Sequence, residues 1–167
     1  FFFKQKTAYE ISKRDWSSDV CSSDLQSLAA GETATEKMTV TSKDGTATRD
    51  ILVTVTGAND AATINGTSTA AITEDQGGAS GSLSVSDVDH GENVFAAANA
   101  SVVGTYGNFT FNEGKWSFAL NENAQSLAAG ETATEKMTVT SKDGTATRDI
   151  LVTVTGANDA ATINGTS

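Results

Sequence analysis

The chain has no proline, one cysteine (Cys21) and one histidine (His90) in 167 residues. A lone cysteine excludes a disulfide scaffold and any cysteine-based zinc site. A lone histidine argues against a His-rich metal site and against a catalytic triad. Basic residues are scarce as well: 11 stand against 21 acidic ones, for a net charge of −10. Nucleic-acid binding needs a basic footprint, so no nucleic-acid partner is expected. No apolar run approaches the roughly 20 residues of a membrane span, so no membrane insertion is expected.

Aromatic residues are few and unevenly placed. Phe1, Phe2, Phe3, Tyr9 and Trp16 crowd the start; the other six fall between Phe95 and Phe118. Residues 1–25 also differ in composition from the rest, which is rich in Thr, Ala, Gly, Val and Asp. They lack the basic start, apolar stretch and small-residue cleavage site of a signal peptide. Lys4–Ile11 and Asp15–Leu25 back-translate into the two constant parts of a sequencing-library index primer, with Ser12–Arg14 over the variable index. Residues 1–25 are therefore read as translated adapter and set aside from fold reasoning. They hold four bases and four acids, so the remainder keeps its charge of −10 and loses its only cysteine. A cysteine-free acidic chain is compatible with export.

What is present is a repeat. Residues 26–68 and 125–167 are identical, at an offset of 99. That period is too long for a solenoid and suits an array of domains of about 100 residues. The sequence thus predicts the C-terminal part of one repeat (26–60), a complete repeat (61–160) and the start of a third (161–167). Identity at every position reflects recent duplication or homogenisation, or else a segment copied during sequence assembly.

The complete repeat reads as all-β. Met137 and Val139 alternate with Thr138 and Thr140, Asp143-Gly144 turns the chain, and Val152 and Val154 alternate with threonines. A second hairpin pairs Phe109 and Phe111 with Trp116, Phe118 and Leu120 across Asn112-Glu113-Gly114. Leu83 and Val85 mark an earlier strand. The Ala-rich run from Phe95 to Ala100 is expected as loop or strand edge. About seven short strands at this spacing predict a β-sandwich, with the aromatics as core anchors. Residues 26–60 carry the last strands without the aromatic half. They are expected to complete no core, and to be disordered, weakly attached, or in competition with their copy at 125–160.

The acids gather at turn-like places: Asn59-Asp60, Glu74-Asp75, Asp87-Val88-Asp89 with Gly91 and Asn93 following, and Asp143. Asp-x-Asp in an extended segment puts both carboxylates on one side. Calcium takes six to eight oxygens, and such a set meets that need. A solvated acidic surface is the competing reading. A general acid–base pair is a third, but no cluster of His, Arg or Lys accompanies these groups.

Four motifs in order, VTGANDAATINGTSTAAITED, GSLSVSDVDHGEN, GTYGNFTFNEGKWSFAL and SLAAGETATEKMTVTSKDGT, resemble a VCBS repeat. This is a module found in tandem in very large bacterial surface proteins and adhesins. The resemblance spans nearly all of 26–167. More remotely it is similar to cadherin repeats, which bind calcium between successive domains. It implies an Ig-like, cadherin-like β-sandwich, an extracellular or cell-surface location, and no enzymatic activity. The implied role is a structural stalk or spacer whose partners are neighbouring repeats, with a cell-surface or polysaccharide ligand as the alternative. By the cadherin similarity the implied calcium ligands are Asn59, Asp60, Glu74, Asp87, Asp89, Asn93 and Asp143. Glu131 and its copy Glu32 fall near the mid-domain acidic motif of cadherins, without its Asp-Arg-Glu. Ala61 and Ala160 stand where the family usually has proline after Asn-Asp-Ala, which loosens the linker.

Overall fold

The computed structural model describes residues 25–165. The adapter-like segment, Leu25 apart, lies outside the described residues. The chain falls into two compact units that part between Ala58 and Asn59.

The first unit is one antiparallel hairpin, β1 (Thr33–Thr41) with β2 (Thr48–Thr56). Threonine and valine alternate along both strands and favour pleated backbone. The turn is built by Asp44, whose carboxylate accepts from the Ser42 hydroxyl at 2.5 Å and the Thr46 N–H at 3.1 Å. Within residues 26–60 the structure thus shows a paired hairpin over Thr33–Thr56, which needs only local contacts. The missing core is real: Met38 is 53% exposed, and Val40, Ile51 and Val53 are exposed with it.

The second unit holds eight strands: β3 (Thr63–Gly66), β4 (Thr69–Thr73), β5 (Ala79–Ser86), β6 (Asn99–Val103), β7 (Gly107–Asn112), β8 (Lys115–Leu120), β9 (Thr132–Thr140) and β10 (Thr147–Thr155). One sheet runs β3-β5-β8-β7-β6, and the other β4-β10-β9. All pairings are antiparallel except β4 with β10. The architecture is a β-sandwich, all-β as the alternation predicted. A single 3₁₀ turn, Glu122–Ser126, connects the sheets after β8.

Both predicted hairpins form. In β7–β8, Phe109 faces Phe118 and Phe111 faces Trp116 across the ladder. The loop between them is Glu113 (φ 45°) and Gly114 (φ 85°), a two-residue turn with both residues left-handed, whose twist matches the strands. Phe109, Phe111, Trp116 and Phe118 are buried, and Met137, Val139, Ile150, Val152 and Val154 meet them from β9 and β10. Each such side chain contributes about 1.5–3 kcal/mol by leaving water. Trp116 also donates its indole N–H to the Thr67 carbonyl at 2.7 Å, so its one polar atom is satisfied. The ring lies over Gly81, where a Cβ would come within 2.7 Å of it. The Ala-rich run supplies no helix: Phe95 makes one bridge to Ser141, and β6 begins at Asn99.

Candidate metal centre

The site forms where β5 ends and the β9–β10 turn comes alongside. Past Ser86 the chain bends, and the Asp89 N–H donates to Asp87 Oδ1 at 2.9 Å. Asp87 and Asp89 therefore sit in a side-chain-closed turn, and not on one side of an extended strand. Asp89 is 2% exposed, and its Oδ2 accepts the Asp60 N–H at 2.8 Å. Gly91, at φ 73°, then turns the chain so that Glu92 points back. The Lys142 ammonium donates to the Gly91 carbonyl at 2.8 Å, and the Lys142 N–H to the Val94 carbonyl at 3.0 Å. These bonds tie the β9–β10 turn to the loop.

Asp143 comes from that turn. Its carboxylate accepts from the Ser141 hydroxyl at 2.6 Å, the Thr145 hydroxyl, the Thr145 N–H and the Asn59 amide at 3.3 Å. The Ser141 hydroxyl above all, then that of Thr145, holds its carboxyl well below the usual carboxylate range. The segment entering the domain is fixed here twice more, through the Asp60 N–H and through the Ala62 N–H, which donates to the Thr145 hydroxyl at 2.8 Å.

Carboxylate oxygens of Asp87, Glu92 and Asp143 lie within 4.8 Å of one another. Two oxygens each about 2.4 Å from one calcium ion are at most about 4.8 Å apart, so this spacing is compatible with one shared ion. Among the described residues the ion pairs are Lys37–Asp50 and Lys136–Asp149, so no cation is paired with the cluster. Asp87 Oδ2, Asp89 Oδ1 and Glu92 Oε2 are buried without a hydrogen-bond partner. Buried carboxylate oxygens are costly unless paired or bound to metal. Two charges at 4.8 Å repel by about 3 kcal/mol at an effective dielectric of 20. The donor set, hard oxygens only, fits calcium.

The predicted ligands do not all meet. Asn59, Asp60, Asp87, Asp89 and Asp143 gather here. Asn93 is in the same loop but exposed; Glu92, one position earlier, is the residue that reaches the cluster. Sequence spacing gave no signal between these neighbours, because the turn at Gly91 decides which side chain faces inward. Glu74 is elsewhere. Its N–H donates to the Thr155 carbonyl at 3.0 Å, and its Oε1 accepts the Ala157 N–H at 2.6 Å. The length of β10, roughly 26 Å at ~3.3 Å per residue, separates it from Asp143. Glu74 is 3% exposed, and its Oε2 is also unpartnered. Glu131 lies at that far end too, its main chain bonded to that of Gly156.

These features define an Ig-like sandwich module with a carboxylate centre where the chain enters the domain. Residues 59–156 match the family model of the bacterial cadherin-like domain, and the chain belongs to that family. This fold is a structural one and not a catalytic one. A comparison with curated proteins finds no match. Among the described residues no helix is long and apolar enough to cross a membrane.

Proposed function

We propose that the domain is a stalk or spacer repeat of the VCBS kind in an exported bacterial surface protein, stiffened by calcium where repeats join. The observations that support calcium are the carboxylates of Asp87, Glu92 and Asp143 gathered within 4.8 Å and the buried, unpartnered oxygens of Asp87, Asp89 and Glu92. Asp87, Glu92 and Asp143 would hold the ion, with Asp89 beside them. Asn59 and Asp60 already join this centre through their hydrogen bonds to Asp143 and Asp89. An ion here ties the incoming linker to the sandwich.

Glu74 acquires a role through the repeat. Asn158 and Asp159 repeat Asn59 and Asp60 at the offset of 99. The Ala157 N–H, one residue before them, is held by Glu74. In an array, Asn158 and Asp159 enter the next sandwich, so Glu74 stands beside the next junction. Each repeat then offers an acceptor centre at its entry and Glu74 at its exit. The partners are neighbouring repeats of the same chain. The polysaccharide alternative has less support, because Phe109, Phe111, Trp116 and Phe118 are buried and offer no stacking surface.

The test is small-angle scattering on a chain of two complete repeats at the natural spacing. The maximum dimension should grow and the scattering profile sharpen toward a rod when calcium replaces chelator. Identical profiles would contradict the stiffening role.

A further inference from the structure

On one side of the sandwich both sheets end in an open strand, β6 in one and β9 in the other. Both strands lie inside residues 59–156, the stretch that matches the family model. In an antiparallel ladder, residues alternate between turning their N–H and C=O to the neighbouring strand and turning them away. The Gly104 N–H donates to the Gly107 carbonyl and the Glu113 N–H to the Ala98 carbonyl, so the even-numbered residues of β6 bond to β7. Asn99, Ser101 and Val103 therefore point their main-chain groups outward. By the same alternation Thr132, Thr134, Lys136 and Thr138 do so on β9, because Gly156 bonds to Glu131 and Ser141 to Ala146.

An open edge is a template for strand pairing unless charge, proline or a bulge blunts it. β9 is blunted: Lys136 stands on its outer face, and the half-buried Glu135 on its inner face accepts the Tyr106 N–H at 2.8 Å. β6 has no such guard. Asn99–Val103 carries no charge and no proline, in a chain of net charge −10. The outward-facing residues of β7 beside it, Asn108, Thr110 and Asn112, are uncharged as well. Val103 is 85% exposed and Val102 38%. Between the two edges opens a cavity of about 150 Å³, lined by Phe95, Ala97, Ala100, Phe111 and Val139 among others.

We infer that β6 is an interaction edge whose partner is β6 of a second copy of this chain, paired antiparallel about a two-fold axis at Ser101. The edge is self-complementary. With Ser101 opposite Ser101, Asn99 of each copy faces Val103 of the other, and every outward N–H on one strand meets an outward C=O on its partner. The same register sets Val102 of the second copy opposite Ala100, with Cβ atoms about 4.5–5.5 Å apart. Ala100 lines the cavity, so that valine arrives at its mouth and the apolar inner face continues from one molecule into the next. The two five-stranded sheets become one, and no carboxylate of β6 or β7 stands at the contact. The edge lies outside the carboxylate centre and needs no ion. In a tandem array the contact recurs with each repeat, so two arrays side by side gain avidity from a contact that is weak in one domain.

The test uses the full chain in chelator, which keeps it separate from the calcium reading. Sedimentation up to about 1 mM chain detects a contact of only millimolar affinity. The wild type should approach twice the 17.2 kDa monomer as concentration rises. Ser101 is exposed, so charging it leaves the fold intact. Ser101→Lys alone and Ser101→Asp alone should each be monomeric, because the axis sets like charges opposite each other. An equal mixture of the two should recover the dimer. Amide exchange should show Asn99, Ser101 and Val103 gaining protection with concentration in the wild type, while Thr134 and Lys136 do not. A wild type that stays monomeric would overturn the inference. So would association that survives in either single variant, a mixture that fails to pair, or protection that leaves β6 unchanged.

Discussion

The backbone N–H of Asp60 donates to Oδ2 of Asp89 at 2.8 Å, across 29 positions of sequence. This bond joins the segment that enters the domain to the loop that follows β5. It satisfies Oδ2 of Asp89 and leaves Oδ1 buried and unpartnered. The geometry of the centre thus exists before an ion is considered, and the cost of that geometry is electrostatic.

The carboxylate cluster predicts an inversion of sign. In chelator, Asp87→Asn or Glu92→Gln removes one of three charges within 4.8 Å of each other. Repulsion falls by about 1–2 kcal/mol after solvent screening, so the melting temperature should rise by a few degrees. In 10 mM calcium the same variants should melt below the wild type. Thermal melts in the two buffers check both signs.

Twin positions give a comparison without change of residue type. Ile150 is fully buried and Ile51, its copy, is exposed. Ile150→Ala should cost about 2–5 kcal/mol through lost burial and a residual cavity. Ile51→Ala should change the stability of the sandwich by less than about 0.5 kcal/mol. Urea unfolding followed through Trp116 measures both.

Gly81 marks the closest approach to the core tryptophan. A methyl group there would lie 2.7 Å from the Trp116 ring. Gly81→Ala should destabilise the domain by about 1–3 kcal/mol, as overpacking does. The indole N–H bond to Thr67 limits how far the ring can retreat, so the near-ultraviolet circular dichroism of Trp116 should also change.

Acidification should weaken the domain through Asp143. Its folded pKa lies below the unfolded value of 3.8, chiefly because of the Ser141 hydroxyl. A lowered folded value contributes stability that is complete above about pH 4 and is lost as pH falls below it. In chelator, denaturation curves between pH 5 and pH 2.5 should show this loss. Asp143→Asn should show a smaller one.

The hairpins were legible because alternation and turn residues are local. Phe109 and Phe111 against Trp116 and Phe118 needed only period two and a Glu-Gly turn. The parallel pairing of β4 with β10 was not legible. Ala70 and Val152 are partners across 82 positions, and no local pattern fixes such a register. The same limit separated the acids. Asp87 and Asp143 meet because two loops share one end of the sandwich, while Glu74 is carried to the other end by β4. Glu92 escaped notice because its inward direction depends on the backbone of Gly91.

A calcium titration of thermal stability, on the full chain, bears most directly on the role given to the centre. Extracellular modules bind calcium at roughly 0.1–1 mM. At 10 mM calcium, binding should stabilise the domain by about 1.4–2.7 kcal/mol and raise the melting temperature by roughly 5–15 °C. The rise should vanish in the Asp87→Asn, Glu92→Gln double variant. A wild-type melting temperature that stays constant to within a degree, or a rise that survives in the double variant, would contradict the account.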